Sequence, residues 1–428
     1  MTERKRDFLT KPIVGWALYD WANSAFTTTV MAGFFPIFFK SHWSAGADAV
    51  ASTARLGFAN AFAGIIVAIS APLLGAIADR AGVRKKFLAA FAALGITATA
   101  SLFIVPAGSW IIAVLLYSLA VIGFSGGNVY YDSLITVVAP KDRLDFVSSL
   151  GFAVGYLGGG LLFALNVWMV LKPETFGLRD SSEAVRWSFL TVSIWWTLFS
   201  VPLLLFVREP LAPFLRRGGK VLRESLGRLG ETIAHIRRLP GLGVFLLAYW
   251  LYIDGVDTII RMALDYGLSL GFKSRDLIAA LLMVQFIGFP AALVFGAIGE
   301  RIGTKKALLG GIFMYLLIVL WGSLIKSKEE FYVLALMIGL VQGGVQALSR
   351  AFYARLVPAE QSAQYFGFYN MLNKFSVVLG PLLVGAVALL SRSFGLSQTA
   401  ASRLGILSVA ILFVGGGLLL RRVDDVRS

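Results

Sequence analysis

The sequence predicts an all-α polytopic membrane protein, with twelve transmembrane helices arranged as two six-helix bundles. Three observations carry this. Of the 428 residues, 57% are hydrophobic and only 15% are charged, where a soluble domain carries about 25% charged residues. The apolar residues fall in blocks such as 65–77, 111–124 and 244–253, inside stretches near the ~20 residues that cross a bilayer. A loop pattern also occurs twice, once in each half of the chain. The short alternating segments of a membrane β-barrel are absent.

The spans run roughly over 13–39, 54–78, 87–106, 109–138, 146–171, 186–207, 242–269, 276–299, 307–325, 330–356, 363–391 and 403–420. The third and fourth nearly touch. The basic start "MTERKRDFLTKP" resembles the head of a signal peptide. The apolar stretch behind it is too long for one and holds Asp20 and Asn23, so it reads as a retained first span. Alternate gaps and both termini carry 25 Lys and Arg; the opposite gaps carry nine. The positive-inside rule then predicts cytoplasmic termini. The net charge of +15 records topology and attraction to anionic lipid. No reading motif accompanies it, so nucleic acid is excluded as a partner.

Residues 1–207 form the predicted N-terminal bundle and 241–428 the C-terminal one. The segment 208–240 between them reads as a cytoplasmic amphipathic linker. Leu222, Leu226, Leu229, Ile233 and Ile236 share one face, and charged residues fill the other. The chain has no cysteine, and its two histidines, His42 and His235, fall in predicted loops. No metal site, cofactor or nucleophile–base constellation is predicted, so the chain does not read as an enzyme. There is no Walker phosphate loop.

The repeated loop is "GAIADRAGVRKK" at Gly75–Lys86 and "GAIGERIGTKK" at Gly296–Lys306. In the fourth and tenth spans, Gly126, Asn128, Asp132 and Pro140 match Gly344, Gln346, Arg350 and Pro358. In the first and seventh, Trp16, Asp20 and Asn23 match Trp250, Asp254 and Asp257. Parallel six-span repeats are a transporter architecture. The loop itself resembles the signature of the major facilitator superfamily, which implies the major facilitator fold. In that reading Gly75 and Gly296 allow close helix contact. Asp79 and Glu300 cap a neighbouring helix N-terminus. Arg80, Arg84 and Arg301 pair with acids such as Asp142 or Asp145 in one conformation and release them in another.

Ionisable side chains within a membrane span are costly and mark function by default. The spans hold Asp20, Asp132, Asp254, Asp257, Arg261, Asp265, Arg350 and Lys374. At ~100° per residue, Asp254, Asp257, Arg261 and Asp265 share one face of the seventh span. Asp20 and Asn23 begin a similar stripe on the first. Two readings of Asp20 stand: it borders a central cavity, or it fixes helix packing by hydrogen bonds. Asn128 and Tyr131, beside Asp132, are candidate substrate contacts. Asp132 is expected to pair with Arg350 or Lys374 when the cavity opens outward. Asp254 is the expected proton carrier, and Asp257 the partner of Arg261.

"WALYDWANSAFTTTVMAGFFPIFF", "RLDFVSSLGFAVGYLGGGLLF" and "YIDGVDTI" are similar to the vacuole effluxer family of autophagy-related permeases and its bacterial relatives. That resemblance implies amino-acid efflux as the activity and, for a bacterial member, the cytoplasmic membrane as the location. The expected function is secondary active transport of a small polar solute by alternating access, with protons as a candidate coupling ion. A lipid or drug exporter of the same fold and a non-transporting membrane receptor or scaffold are the competing classes.

Overall fold

The computed structural model describes residues 9–46, 49–209, 234, 236, 240–269 and 272–424. Almost all of the predicted amphipathic linker lies outside the described residues, as do the side chains of Arg261 and Asp265. Among the described residues, twelve helices are long and apolar enough to cross a membrane. They are α1 (Lys11–Trp43), α2 (Ala49–Ala81), α3 (Arg84–Ser101), α4 (Trp110–Val138), α5 (Leu144–Leu171) and α6 (Ser181–Phe206). The second half holds α7 (Pro240–Ser269), α8 (Ser274–Ile302), α9 (Thr304–Leu324), α10 (Lys328–Leu356), α11 (Ser362–Ser393) and α12 (Gln398–Arg421).

The third and fourth spans are distinct, parted by a turn in which Gly108 takes φ 78°. Only a residue without Cβ enters that region at little cost. Helix α1 departs from expectation. It is π-helical over Phe26–Phe34 and again over Phe39–Trp43. His42, expected in a loop, lies in the second of these segments. Such wide turns concentrate at functional stretches of helices.

An even number of alternating spans brings both termini to one end of the molecule, together with the two repeated loops. In the first bundle α1 packs on α5 and α6, and α4 on α2 and α3. In the second α8 packs on α10, and α7 on α11 and α12. The bundles meet chiefly through α2 with α11 and α5 with α8, a pairing that repeats the internal symmetry. Large apolar side chains such as Phe58, Ile69, Ile104 and Leu389 are exposed, as lipid-facing residues must be.

Small residues let the bundles close at the termini end. A Cβ on Gly75 would collide with the carbonyl of Ala363, and one on Gly367 would fall 2.6 Å from Cα of Pro72. The same face of α2 runs on through Ala68, Gly64, Ala61 and Gly57. Ala68 is buried, but Ala61 and Gly57 are exposed, and a Cβ on Gly57 or Gly64 meets nothing within 4 Å. Gly385, towards the far end of α11, is likewise exposed and open. The seam is therefore shut at the termini end and uncovered along α2 and α11 at the far end.

Candidate functional site: an ion-pair cluster across the seam

The seam closes on one guanidinium. Arg350 of α10 is 3% exposed, and each of its polar partners among the described residues belongs to the other bundle. Its Nη1 donates to Asp132 Oδ1 at 3.0 Å. Its Nε donates to Ser148 Oγ, and Nη2 to the Ser148 carbonyl, both at 2.9 Å. Asp20 Oδ2 lies 3.8 Å from Nη1. The rings of Phe152, Trp16 and Tyr131 surround the cation, 4.4, 4.8 and 5.2 Å from the guanidinium carbon. Aromatic faces stabilise a desolvated cation through the ring quadrupole.

Both carboxylates are held from further sides. Tyr131 donates its hydroxyl to Asp20 Oδ2 at 3.0 Å, and Ser24 donates to Oδ1 at 3.2 Å. Asn370 of α11 donates to Asp132 Oδ2 at 3.1 Å. Trp16 Nε1 donates to the Tyr131 carbonyl at 2.9 Å, and the two rings stack. The site thus joins α1, α4 and α5 to α10 and α11. It sets two buried carboxylates against one buried cation.

The structure therefore brings together Asp20, Tyr131, Asp132 and Arg350. Of the two partners expected for Asp132, Arg350 occupies the place and Lys374 does not. Lys374 and Asp257 are half-buried on α11 and α7. Asn23 donates to Asn128 at 2.7 Å inside the first bundle, a contact that locks α1 to α4 away from the cation. Asp254 is fully buried. Its Oδ1 accepts from the Gly380 N–H at 2.9 Å and from Thr258 Oγ at 3.3 Å. Pro381 follows at once. A proline inside a helix leaves one intrahelical hydrogen bond unmade, and Asp254 takes the N–H of the residue just before it. Its Oδ2 has no partner among the described residues.

The repeated loops sit at the rim of the closed end. Asp79 Oδ1 accepts from the Ala363 N–H and Oδ2 from the Gln364 N–H, at 3.1 and 2.8 Å. It caps α11 from across the seam. Arg84 Nε donates to Asp79 at 2.6 Å, and Nη2 donates to the carbonyls of Ala359 and Glu360. The second loop behaves otherwise. Glu300 caps no helix among the described residues; it meets Arg143 at 3.4 Å. Asp145 goes to neither Arg80, Arg84 nor Arg301. It accepts from Arg355 Nη1 and Thr304 Oγ1, both at 2.7 Å. The neighbour of Asp142 is Arg143, at 3.9 Å, and Arg301 is exposed.

Sequence reasoning misses Ser148, Asn370 and Arg355. Asn370 carries a signal, as an amide inside an apolar span. Ser148 carries none, because serine is common in such spans. Glu209 is missed too. Its carboxylate accepts the N–H groups of Arg84 and Lys85 at 2.8 and 2.6 Å and caps α3.

Comparison with known proteins agrees with this architecture. The family pattern described as "Vacuole effluxer Atg22 like" matches residues 10–144 and 138–428. The MFS-type transporter YxiO of Bacillus subtilis, itself uncharacterised, is 38% identical over 421 residues, covering 98% of this chain and 96% of that protein. The chain belongs to the vacuole effluxer Atg22-like family. Autophagy-related protein 22-1 of Penicillium rubens is 28% identical over 281 residues, covering 60% of this chain and 46% of that protein. Among solved structures, the proton:xylose symporter XylE has a TM-score of 0.70 at 14% identity, covering 97% of this chain and 95% of that one. FucP in the outward conformation has a TM-score of 0.66 at 13% identity, covering 97% and 98%. At those identities the likeness is one of fold. The Atg22-like chain is thus an integral membrane protein of the major facilitator fold and a transporter, with transporters rather than enzymes for relatives.

Proposed function

We propose that this chain moves a small polar solute by alternating access, and that Arg350 is the latch which holds the termini end shut. One observation carries the reading: among the described residues, the polar partners of a buried guanidinium all come from the opposite bundle. Opening that end must pull Arg350 away from Asp132, Ser148 and Asp20 together. The Lys and Arg asymmetry supports cytoplasmic termini, and the Bacillus relative supports a bacterial cytoplasmic membrane. On that orientation the structure is open outward.

Amino acids are the solute class to test first, because relatives bear the Atg22 name and the seam offers both signs of charge. When the latch opens, Asp20 and Asp132 lose their shared cation. A substrate ammonium group or a proton then neutralises them, which ties solute or proton movement to the opening. Asp254 Oδ2 is a second candidate proton site within this reading.

The test is flux in proteoliposomes. Wild-type protein should accumulate labelled amino acids against an imposed pH gradient, and Arg350→Gln should not. Accumulation by Arg350→Gln at the wild-type rate would remove the latch from the mechanism. Asp254→Asn should lose gradient-driven accumulation but keep exchange at equal pH. If it keeps both, Asp254 serves only to hold α11.

A further inference from the structure

A second polar feature lies outside the seam. Between the start of α1 and the ends of α4 and α6 is a cleft of about 420 Å3. Lys11 and Arg208 supply its charge, and Val137, Leu205 and Phe206 are among its apolar walls. No acidic side chain among the described residues lines it.

Neither Lys11 nor Arg208 makes a hydrogen bond or ion pair among the described residues. The acid next to Arg208, Glu209, is taken by the N–H groups at the start of α3. The carbonyls at the end of α6 are taken as well, since Lys85 Nζ donates to Leu204 and Val207 at 2.8 and 2.5 Å. Lys11 and Arg208 are both exposed. Two cations without a partner among the described residues thus stand at the ends of membrane-spanning helices, the level of the lipid headgroups.

The walls say which anion fits. Leu205 is 65% exposed and Phe206 41%, and both lead from the cleft onto the lipid-facing side of α6. A free phosphate ion would gain nothing from that surface, whereas a lipid gains along its whole acyl chain. Basic pockets between spans at this level suit anionic headgroups. We propose that the cleft binds an anionic phospholipid, with its phosphodiester between Lys11 and Arg208 and an acyl chain along Leu205 and Phe206. The site is independent of the transport reading, because neither Lys11 nor Arg208 is hydrogen-bonded or ion-paired to the Arg350 cluster.

The experiment titrates delipidated protein in detergent with phosphatidylglycerol, phosphatidylcholine or inorganic phosphate. It reads melting temperature and, by native mass spectrometry, the bound lipid. Phosphatidylglycerol should be retained and should raise the melting temperature above the phosphatidylcholine level. Lys11→Gln/Arg208→Gln should bind it roughly thirty-fold more weakly. Lys11→Arg/Arg208→Lys keeps both charges and should retain the lipid. Lys172→Gln/Arg392→Gln, the same charge loss at the far end, should bind as wild type and controls for net charge. Equal binding by wild type and Lys11→Gln/Arg208→Gln overturns the proposal. So does stabilisation by inorganic phosphate that matches the lipid, which would make the cleft a site for a soluble anion. If Lys11→Gln/Arg208→Gln does not fold, Leu205→Ser with both cations intact should weaken retention, and unchanged retention there overturns it.

Discussion

The two repeated loops read almost alike, yet they close the seam by different chemistry. In the first, the loop acid itself crosses the seam: Asp79 caps α11 and holds Arg84. In the second, the loop acid reaches across only to the exposed Arg143 at the rim, and the buried crossing is made by Asp145, on the first turn of α5, to Arg355 and Thr304. Two local differences account for this. Helix α5 carries its own acid in the first turn, so its N-terminus has no need of a carboxylate from across the seam. The first loop also holds one residue more. Gly82 and Val83 part α2 from α3, while Gly303 alone parts α8 from α9. The following helix therefore begins with Arg84 in one half and Thr304 in the other. Lys85 and Lys305 then fall in equivalent places, and each donates to carbonyls at the end of its bundle's last helix. A repeat can thus conserve an architectural contact while its two copies divide the latch differently.

The largest expected effect lies at Arg350, which bridges the seam directly. Arg350→Gln leaves Asp20 and Asp132 buried with no cation. Removing one side of a buried pair costs ~3–5 kcal/mol, enough to shift a two-state equilibrium by more than a hundred-fold. The wild-type chain has no cysteine, so accessibility can be read from one introduced thiol. Ser149→Cys, on the buried face of α5 against α8, should be unreactive in the wild-type background and reactive with Arg350→Gln. Equal protection in both would show that this cation does not hold the seam.

Next comes Asp79→Asn. It removes the charge that serves two backbone N–H groups and Arg84. Arg84 keeps the carbonyls of Ala359 and Glu360, so the loss is smaller, about 1.5–3 kcal/mol by the worth of a charged hydrogen bond. The opening should begin between α2 and α11, read at Ala71→Cys. Simultaneous exposure of Ala71→Cys and Ser149→Cys to the same extent would mean that the two interfaces open as one body.

Much of this is legible in the sequence. The spacing of the two loops predicts their equivalence, and the register of Asp132 with Arg350, 218 residues apart, predicts a pair at matching heights. Asp79 as a cap follows from its place in the motif. Arg355 as the partner of Asp145 does not follow, because a linear motif cannot show which neighbouring helix supplies a cation. The extra Val83 is hidden too: aligning the loops on their glycines sets Arg84 against Lys305, whereas the helices set it against Thr304. Asp254 stands out as a charge in a span, but its bond to Gly380, next to the in-helix Pro381, depends on how α7 packs on α11, and its partner lies 126 residues away in the chain.

Thr304→Val probes the difference between the loops directly. Thr304 Oγ1 donates to Asp145 at 2.7 Å and accepts from Arg355 at 2.8 Å, so it relays one member of the pair to the other. Valine keeps the shape and removes the relay, at about 1 kcal/mol. Ser149→Cys should gain a few-fold in reactivity, and Ala71→Cys should not change.

The smallest effect belongs to Glu300→Gln, although Glu300 occupies the motif position of Asp79. The pair with Arg143 spans 3.4 Å, and its side chains are 24% and 41% exposed. An ion pair in that setting contributes ~0–1 kcal/mol and is screened by salt. Labelling of Ser149→Cys should move by less than about five-fold at low ionic strength, and by nothing measurable at 1 M salt, where the Debye length is ~3 Å. Asp79→Asn should keep most of its effect at that salt, because its carboxylate is 6% exposed. If Glu300→Gln instead matches Asp79→Asn in size and salt resistance, the two loop acids do equivalent work. The division of labour between Glu300 and Asp145 would then be wrong.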